Sequence, residues 1–190
     1  MLSQAEVAKI FQDTGALLSG HFRLTSGRHG DQYFQCALVL QHPQYTEILC
    51  RELAARFQGE GVSVVIGPAM GGIIVAYETA RALGARSLFT ERENGVMKLR
   101  RSFTIQPGEK VLVVEDVITT GGSVKEVIVV VRALGGEVVG VGVLVDRSNG
   151  TANLGVRTEA LLTMQVLSYT PEECPLCKQG LPAVKPGSRS

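Results

Sequence analysis

The segment 111–123, VLVVEDVITTGGS, constrains the fold of this chain more than any other. Four apolar residues at 111–114 run directly into Glu115 and Asp116, and a turn rich in threonine and glycine follows. A continuous apolar run of this length is typical of a strand buried on both faces of a parallel sheet. A helix is expected next, over residues 124–134. The pattern therefore predicts a turn at the carboxyl end of a parallel strand, where open α/β sheets bind ligands.

The turn after the acids has the chemistry of an anion site. Gly121 and Gly122 let the backbone approach a ligand closely. The hydroxyls of Thr119, Thr120 and Ser123, with the amides at the helix N-terminus, can donate to phosphate oxygens. The preceding acids suit sugar hydroxyls or a Mg²⁺ ion. The segment matches neither a P-loop nor a dinucleotide fingerprint, and a turn that binds nothing stays open as the alternative.

A second glycine-rich turn lies at residues 67–72, GPAMGG. It follows a strand expected at 62–66 and precedes a helix expected at 73–83, which Gly84 closes. Backbone amides in such a turn can form a second anion pocket, although a tight turn without a ligand explains it equally well on its own. Two such turns at neighbouring strand ends favour one ligand with two phosphate groups.

The remaining chain alternates helix and strand patterns. Ser3 and Glu6 form a capping box for a first helix, and Pro43 opens a helix that reaches about residue 57. Further strands are expected at 87–90, 138–145 and 160–166, with a small antiparallel element inside 20–40 and a long loop at 91–108. Alternating β and α units predict a parallel sheet with helices on both faces and right-handed crossovers.

Length and composition indicate one domain. A chain of 190 residues buries roughly 70 per cent of its unfolded surface. We predict a single domain over 1–170, with 1–42 as a small hood and first helix, and an irregular tail at 171–190. The net charge of +1 argues against a nucleic-acid or membrane surface. Without an apolar span or a signal-peptide pattern in 1–20, the sequence predicts a cytoplasmic protein.

The chain has four cysteines, expected as reduced thiols in that compartment. Cys174 and Cys177 have the CxxC spacing of half a zinc site, but the sequence offers no second CxxC and no nearby histidine. Solvent-side thiols on a tail are therefore the expectation. The alternative is a site that another subunit completes.

The motif segment resembles the signature with which type I phosphoribosyltransferases bind phosphoribosyl pyrophosphate (PRPP). Over nearly its whole length the chain resembles the orotate phosphoribosyltransferase branch of that family. The shared segments, in the family's order, are LTSGR at 24–28, the aromatic pair Tyr33 and Phe34, GPAMGG, EDVITTGGS and VDR at 145–147. The resemblance implies a type I phosphoribosyltransferase-like α/β fold, a parallel sheet flanked by helices with a small N-terminal hood.

The resemblance also implies a reaction. The family transfers the phosphoribosyl group from PRPP to orotate, giving orotidine 5′-monophosphate and pyrophosphate, in a homodimer that uses Mg²⁺ held mainly through PRPP. Carried over by position, the implied PRPP contacts are Glu115, Asp116, Val117, Ile118, Thr119, Thr120, Gly121, Gly122, Ser123, Ala69, Met70, Gly71 and Gly72. The implied orotate contacts are Thr119, Arg147, Tyr33 and Phe34. From the residues alone, Arg147 is either a solvated charge or a guanidinium fork for a planar acidic base.

Three departures from the family pattern stand out. The best-known members have lysine at the positions of Thr25 and Gly71, and their mobile loop reads RKxxKxHG where residues 92–101 read RENGVMKLRR. By position Arg92 matches the loop arginine, and Lys98 is the best replacement for the missing lysines. Together with Asp116, Arg92 and Lys98 are therefore the implied catalytic residues. The family's loop reaches the neighbouring subunit, which implies that 91–103 is shared, while a solvated surface loop is the alternative.

Two other functions stay open. One is a phosphoribosyltransferase for a purine or another pyrimidine. The other is a PRPP-sensing transcriptional regulator, although residues 1–20 show no basic helix-turn-helix pattern.

Overall fold

The structure is a computed structural model that describes residues 1–24, 27–164 and 167–185. Thr25 and Ser26 of the LTSGR segment lie outside the described residues, and so does the departure at Thr25. The last two positions of the strand expected at 160–166 and the end of the tail at 186–190 also lie outside them.

The helices are α1 (Gln4–Asp13), α2 (Ala37–Leu40), α3 (Pro43–Ala55), α4 (Gly71–Leu83), α5 (Gly122–Ala133) and α6 (Pro175–Lys178). The strands are β1 (Leu17–Arg23), β2 (His29–Phe34), β3 (Val64–Pro68), β4 (Arg86–Glu93), β5 (Val96–Leu99), β6 (Lys110–Ile118), β7 (Glu137–Asp146), β8 (Thr158–Thr163) and β9 (Ser168–Tyr169). Caps predicted from the sequence are present. Ser3 and Glu6 form the capping box of α1, and Gly84 ends α4 in the left-handed conformation.

The central sheet has six strands in the order β5-β4-β3-β6-β7-β8. Strands β4, β3, β6, β7 and β8 are mutually parallel, and β5 is antiparallel at one edge. The chain runs from β3 outward to β4 and then returns across the sheet to β6. The strand order therefore reverses between β3 and β6, and the crevice at their carboxyl ends is the topological switch point of the sheet.

Helices cover both faces of the sheet, as predicted. Neighbouring residues of a strand face opposite sides, and the buried positions divide accordingly. Val65, Leu112 and Val114 pack in one hydrophobic cluster with α3 and α4, while Val64 and Val113 pack in the other with α5. The continuous apolar run of β6 is thus explained by burial on both sides, and it holds the turn after Asp116 on a rigid base.

The hood is a small antiparallel sheet in the order β1-β2-β9. Its hairpin begins at Leu17, three residues before the 20–40 segment where an antiparallel element was expected, and ends within that segment. The segment after Thr170 is less irregular than predicted. It contains the short helix α6, and Val184 forms a bridge with Phe22 of β1. The Val184 amide also donates to the His21 carbonyl at 2.8 Å. The described part of the tail therefore packs against the hood.

The prediction of a long loop at 91–108 is wrong over its first half. Residues 91–99 form a hairpin of β4 and β5 around Asn94 and Gly95, which have φ angles of 53° and 82°. Positive φ at both central residues is the geometry that an Asn-Gly pair favours in tight hairpins. Strand β4 pairs with β3 only as far as Thr90. The tip of the hairpin therefore projects beyond the end of β3.

Candidate active site

The two acids lie at the end of β6, which continues two residues past them to Ile118 and so is longer than the predicted strand. Glu115 is buried, with 9% of its surface exposed, and Asp116 is partly buried. The Asp116 amide donates to Glu115 Oε1 at 3.2 Å, and the Val117 amide donates to Asp116 Oδ1 at 2.8 Å. Each carboxylate is therefore oriented by the main chain that follows it.

Burial makes the charged form of this pair costly. Desolvation raises the pKa of Glu115 well above its ordinary value, and the neighbouring Asp116 raises it further. Desolvation also raises the pKa of Asp116, although the hydrogen bond from the Val117 amide partly offsets this by lowering it. Two adjacent carboxylates in such a place suit a ligand that brings donors or positive charge.

The turn after β3 is packed against the acids. A Cβ on Gly71 would collide with Asp116 Oδ2, and a Cβ on Gly72 would lie 3.2 Å from Glu115 Oε1 and 2.9 Å from Pro68 Cδ. A Cβ on Gly67 would in turn collide with the carbonyl of Gly72. Glycine is needed at these positions because the backbone of the turn after β3 packs against the side chains of the two acids. The two glycine-rich turns therefore lie close together at neighbouring strand ends, as predicted.

The turn after β6 lines a cleft of about 250 Å³. Its lining residues are Arg92, Glu115, Val117, Ile118, Thr119, Thr120, Gly121, Gly122, Ser123, Val124 and Glu126. Gly121 has a φ of 72° and caps α5, and a Cβ there would collide with the side chain of Leu154. The cleft therefore opens at the N-terminus of α5, where amide groups and the helix dipole favour an anion.

A larger cleft of about 750 Å³ lies elsewhere, beside α3 and the end of α4. Ion-pairing residues such as Glu47, Arg51 and Arg81 line it. It contains neither glycine-rich turn and neither of the buried acids. Since the smaller cleft lies at the switch point of the sheet and the larger one does not, we assign the site to the smaller cleft.

The structure places the two implied loop cations differently. Arg92 lines the cleft and pairs with Glu126 of α5 at 2.8 Å, while its guanidinium also donates to the Gly95 carbonyl. Lys98 lies on β5 and pairs with Glu93 at 2.8 Å, and it is not among the residues that line the cleft of its own chain. Among the described residues, the structure therefore brings Arg92, but not Lys98, to the turn after β6 in the same chain.

Arg147 follows β7 and is partly buried. Its Nε atom is buried without a hydrogen-bond partner in the described structure. Burial lowers the pKa of Arg147, and Tyr33 opposes this by raising it. The neighbouring Cys36 thiol has a pKa raised well above its ordinary value by burial, and then by Asp116 and Glu115. Cys36 therefore lies within electrostatic range of Asp116, Glu115 and Arg147.

Phe34 departs from its expected role. Its ring is buried at 4% exposure and packs edge-on against Phe11, with ring centroids 5.7 Å apart. Adjacent residues of a strand face opposite sides, so Tyr33 faces away from that core contact. The Phe34 side chain thus packs in the core, which does not match its expected role as an orotate contact.

Asp146 was missed as an organising residue of the site. Its carboxylate accepts from the amides of Ser148 at 2.7 Å and Gly150 at 3.1 Å, which fixes the turn that carries Arg147. The sequence signal was present, since an aspartate before Ser-Asn-Gly is typical of such a turn. Cys36 had no comparable signal, because its position depends on the packing of α2.

Comparison with known proteins agrees with this geometry. The family described as "Phosphoribosyl transferase domain" matches residues 39–155. The orotate phosphoribosyltransferase of Pelotomaculum thermopropionicum is 75% identical over 99% of both chains. That of Desulforamulus reducens is 76% identical, over 99% of this chain and 98% of the relative. The chain belongs to the orotate phosphoribosyltransferase family.

Solved structures of this family share the fold. The orotate phosphoribosyltransferase of Aeropyrum pernix is 29% identical with a TM-score of 0.71, over 84% of this chain and 94% of that one. The Mycobacterium tuberculosis enzyme, solved with inorganic phosphate, is 28% identical with a TM-score of 0.68, over 84% and 95% of the two chains. The predicted type I phosphoribosyltransferase-like α/β fold is thereby confirmed. In the part of the chain that the structure describes, no helix is long and apolar enough to cross a membrane.

Proposed function

We propose that this chain transfers the phosphoribosyl group from PRPP to orotate, forming orotidine 5′-monophosphate and pyrophosphate in pyrimidine biosynthesis. One observation carries the proposal: a buried acid pair lies between two glycine-rich turns at the switch point of the sheet. The relatives that are 75% and 76% identical, both named orotate phosphoribosyltransferase, support the same reaction.

Each chemical group of PRPP has a suitable binding region in this crevice. The turn at 117–123 and the N-terminus of α5 suit the 5′-phosphate, because the amides and hydroxyls that line this cleft can donate to phosphate oxygens. Glu115 and Asp116 are placed to accept hydrogen bonds from the ribose hydroxyls. The turn at 69–72, which contacts both acids, suits the pyrophosphate on the other side of the ribose.

The reaction breaks the bond between C1′ of the ribose and the pyrophosphate oxygen. Positive charge builds on the ribose ring, and negative charge builds on the leaving group. Carboxylates near the ring favour the cationic transition state, and loop amides and cations favour the leaving group. No nucleophile from the protein is required, because orotate attacks as an anion.

Mg²⁺ is part of the proposal, held mainly through PRPP oxygens. The residues fit such an ion, since Glu115 and Asp116 are adjacent, largely buried oxygen donors whose pKa values are raised by desolvation. The chemistry that such an ion would supply is charge neutralisation of the leaving pyrophosphate. The protein's own part is to hold the ribose between the two turns and to limit the access of water.

Arg147 is the proposed anchor for orotate. A buried guanidinium nitrogen without a partner is costly, and a planar carboxylate ligand would satisfy it through paired hydrogen bonds. Tyr33 lies close enough to Arg147 to influence its pKa, so the two can border one base. Thr119, the first residue after β6, completes the proposed orotate contacts.

We also propose a homodimer in which Lys98 serves the neighbouring subunit. The hairpin tip projects beyond β3, and Lys98 holds only an exposed ion pair with Glu93. An exposed ion pair stabilises the folded state by about 0–1 kcal/mol, so Lys98 can exchange Glu93 for a pyrophosphate oxygen at little cost in free energy. Arg92 lines the cleft of its own chain and is proposed to act there. A cytoplasmic location stays a prediction from the sequence.

A direct assay distinguishes transfer to orotate from transfer to another nucleobase and from PRPP sensing without catalysis. The protein is incubated with PRPP and Mg²⁺ and with orotate, uracil, adenine, guanine or xanthine in turn, and nucleotide and pyrophosphate are quantified. We expect product with orotate and little with the other bases. A clear preference for another base would overturn the choice of orotate, and PRPP binding without turnover of any base would favour a regulator.

A further inference from the structure

Four side chains with metal-binding atoms converge where the tail meets the hood. They are His21, His29, Cys174 and Cys177, and their ligand atoms all lie within 4.8 Å of one another. Both histidines are 7% exposed and Cys174 is 1% exposed, while Cys177 is partly buried. This corrects the expectation of solvent-side thiols without a nearby histidine.

The hood hairpin brings the two histidines together. Arg23 of β1 lies opposite His29 of β2, and the pairing of the two strands is irregular between Ser19 and Phe22, where His21 lies. The two histidine rings meet edge to face, with centroids 4.8 Å apart.

The tail supplies the two cysteines. Cys174 is the N-cap of α6 and Cys177 lies within that helix. Val184 then pairs with β1 on both sides of Phe22, since its amide donates to the His21 carbonyl and its carbonyl accepts from the Arg23 amide, each at 2.8 Å. The cysteine turn is thereby held over the same face as the histidines.

The distances suit a tetrahedral metal. Metal–ligand bonds of about 2.0–2.1 Å to nitrogen and about 2.3 Å to sulfur place tetrahedral ligands roughly 3.3–3.8 Å apart. His21 Nε2 lies 2.9 Å from His29 Nδ1, 3.4 Å from Cys174 Sγ and 3.7 Å from Cys177 Sγ. His29 Nδ1 lies 3.2 Å from Cys177 Sγ. A metal at the centre requires movements of a few tenths of an ångström along these four edges, and a contraction of about 1 Å at most along the longest, which is within 4.8 Å.

Hydrogen bonds alone do not explain the cluster. The Nδ1 atom of His21 lies 2.8 Å from the Leu181 carbonyl, which can only accept, so Nδ1 carries the hydrogen. In the neutral ring Nε2 then has one lone pair, yet His29, Cys174 and Cys177 all converge on it. A hydrogen bond to a backbone carbonyl from the other ring nitrogen is also the usual support of a metal-bound histidine.

We propose that His21, His29, Cys174 and Cys177 bind one Zn²⁺ ion. Two thiolates and two imidazoles in a tetrahedral, largely buried arrangement are typical of structural zinc. All four positions are filled by the protein, so the site is closed and structural. On binding, each cysteine thiol loses its proton to solvent, and the thiolates take up the metal.

The ion would fasten the tail to the hood. It joins β1 and β2, which carry Tyr33, to the segment that contains α6. Metal binding that requires both segments in place contributes to folding stability, so zinc removal should loosen the hood before the central sheet.

The test is metal content and metal spectroscopy of the full chain. The protein is produced with zinc in the medium, purified without chelators, and analysed for bound metals by mass spectrometry. We expect about one zinc per chain. Cobalt(II) exchanged into the wild-type protein should show the intense visible bands of tetrahedral cobalt and a thiolate-to-cobalt charge-transfer band, and this readout does not depend on any variant folding.

Matched variants locate the site. Cys177→Ser and His29→Gln should lose at least tenfold in zinc affinity. Cys50→Ser and His42→Gln, which change the same residue types outside the cluster, should retain the metal. Zinc far below one equivalent together with absent cobalt bands, a disulfide between Cys174 and Cys177, or full zinc retention in Cys177→Ser would each overturn the proposal.

Discussion

The backbone of Gly71 lies directly against the carboxylate of Asp116, so closely that a Cβ at Gly71 would collide with Oδ2. The contact joins the turn after β3 to the end of β6 across the switch point of the sheet. The family's pattern has lysine at this position, so the glycine also defines how this chain departs from it. Asp116 can take its observed place only because residue 71 has no side chain.

Replacing Gly71 with alanine should therefore move the carboxylate without unfolding the protein. The colliding atom is the end of a flexible side chain, so the expected change in the free energy of unfolding is small. We expect Gly71→Ala to lower kcat/KM by about tenfold, which corresponds to about 1.4 kcal/mol of transition-state stabilisation. Steady-state kinetics with PRPP and orotate measure this, and unchanged kinetics would show that Asp116 need not stay where it lies.

The buried acid pair predicts a particular dependence of stability on pH. The pKa of Glu115 in the folded state is raised above its ordinary value of 4.5, so the folded state holds this proton more tightly than the unfolded state does. The free energy of unfolding should then fall as pH rises from about that value through the raised pKa.

Glu115→Gln tests that dependence. Urea unfolding without PRPP or Mg²⁺, repeated across the pH range, should show a smaller decline in this variant than in the wild type. Glu137→Gln, at an exposed acid on β7, is the matched control and should follow the wild type. Identical pH profiles for all three proteins would contradict the burial of Glu115.

Arg147→Ala should weaken orotate binding selectively. Loss of one partner from a buried, charged hydrogen-bonded pair costs roughly 2–5 kcal/mol, which is an increase of about 30-fold or more in the KM for orotate. The KM for PRPP should change little, because the Arg147 guanidinium is proposed to bind the base and is not among the residues that line the cleft at the turn after β6. Arg51→Ala, whose side chain is 71% exposed on α3, serves as the control. Equal losses for both substrates would remove Arg147 from the orotate site.

Much of this fold was readable from the sequence, because periodicity and burial agree. The apolar run of β6 predicted a strand buried on both faces, and the glycine-rich turns predicted where ligands approach. The hairpin at 91–99 was missed although Asn94-Gly95 is a strong hairpin signal. Such a signal is normally flanked by alternating apolar and polar residues, and the charged neighbours Arg92 and Glu93 interrupt this alternation.

The site was less predictable where it depends on three-dimensional packing. Phe34 and Tyr33 are adjacent in sequence, yet strand geometry sends their side chains to opposite sides, which alternation alone could have revealed. The cluster of His21 and Cys174 joins residues 153 positions apart. No local pattern encodes such a contact, because it depends on the return of the tail across the hood.

Subunit mixing tests where Arg92 and Lys98 act. Lys98→Ala and Arg92→Ala should each lower turnover and leave the affinity for orotate nearly unchanged. If Lys98 serves the neighbouring subunit, mixing Lys98→Ala with Asp116→Asn restores activity in one of the two sites of each hybrid dimer.

Arg92→Ala provides the matched comparison. Because Arg92 lines the cleft of its own chain, it should not complement Asp116→Asn, since every site in the hybrid then carries a defect. A Lys98→Ala mixture that stays inactive although subunits exchange would contradict the shared site. Complementation by Arg92→Ala would show that Arg92 also acts across the interface.

The most direct measurement is kcat/KM for Asp116→Asn with orotate and PRPP, alongside its circular dichroism spectrum and unfolding curve. The substitution keeps the shape of the side chain and removes the charge that is proposed to face the ribose. Loss of one charge-assisted contact made in the transition state is worth about 3 kcal/mol, so the account predicts a decrease of about 100-fold or more with the fold intact. Near-normal activity in a folded Asp116→Asn protein would contradict the assignment of this crevice as the active site.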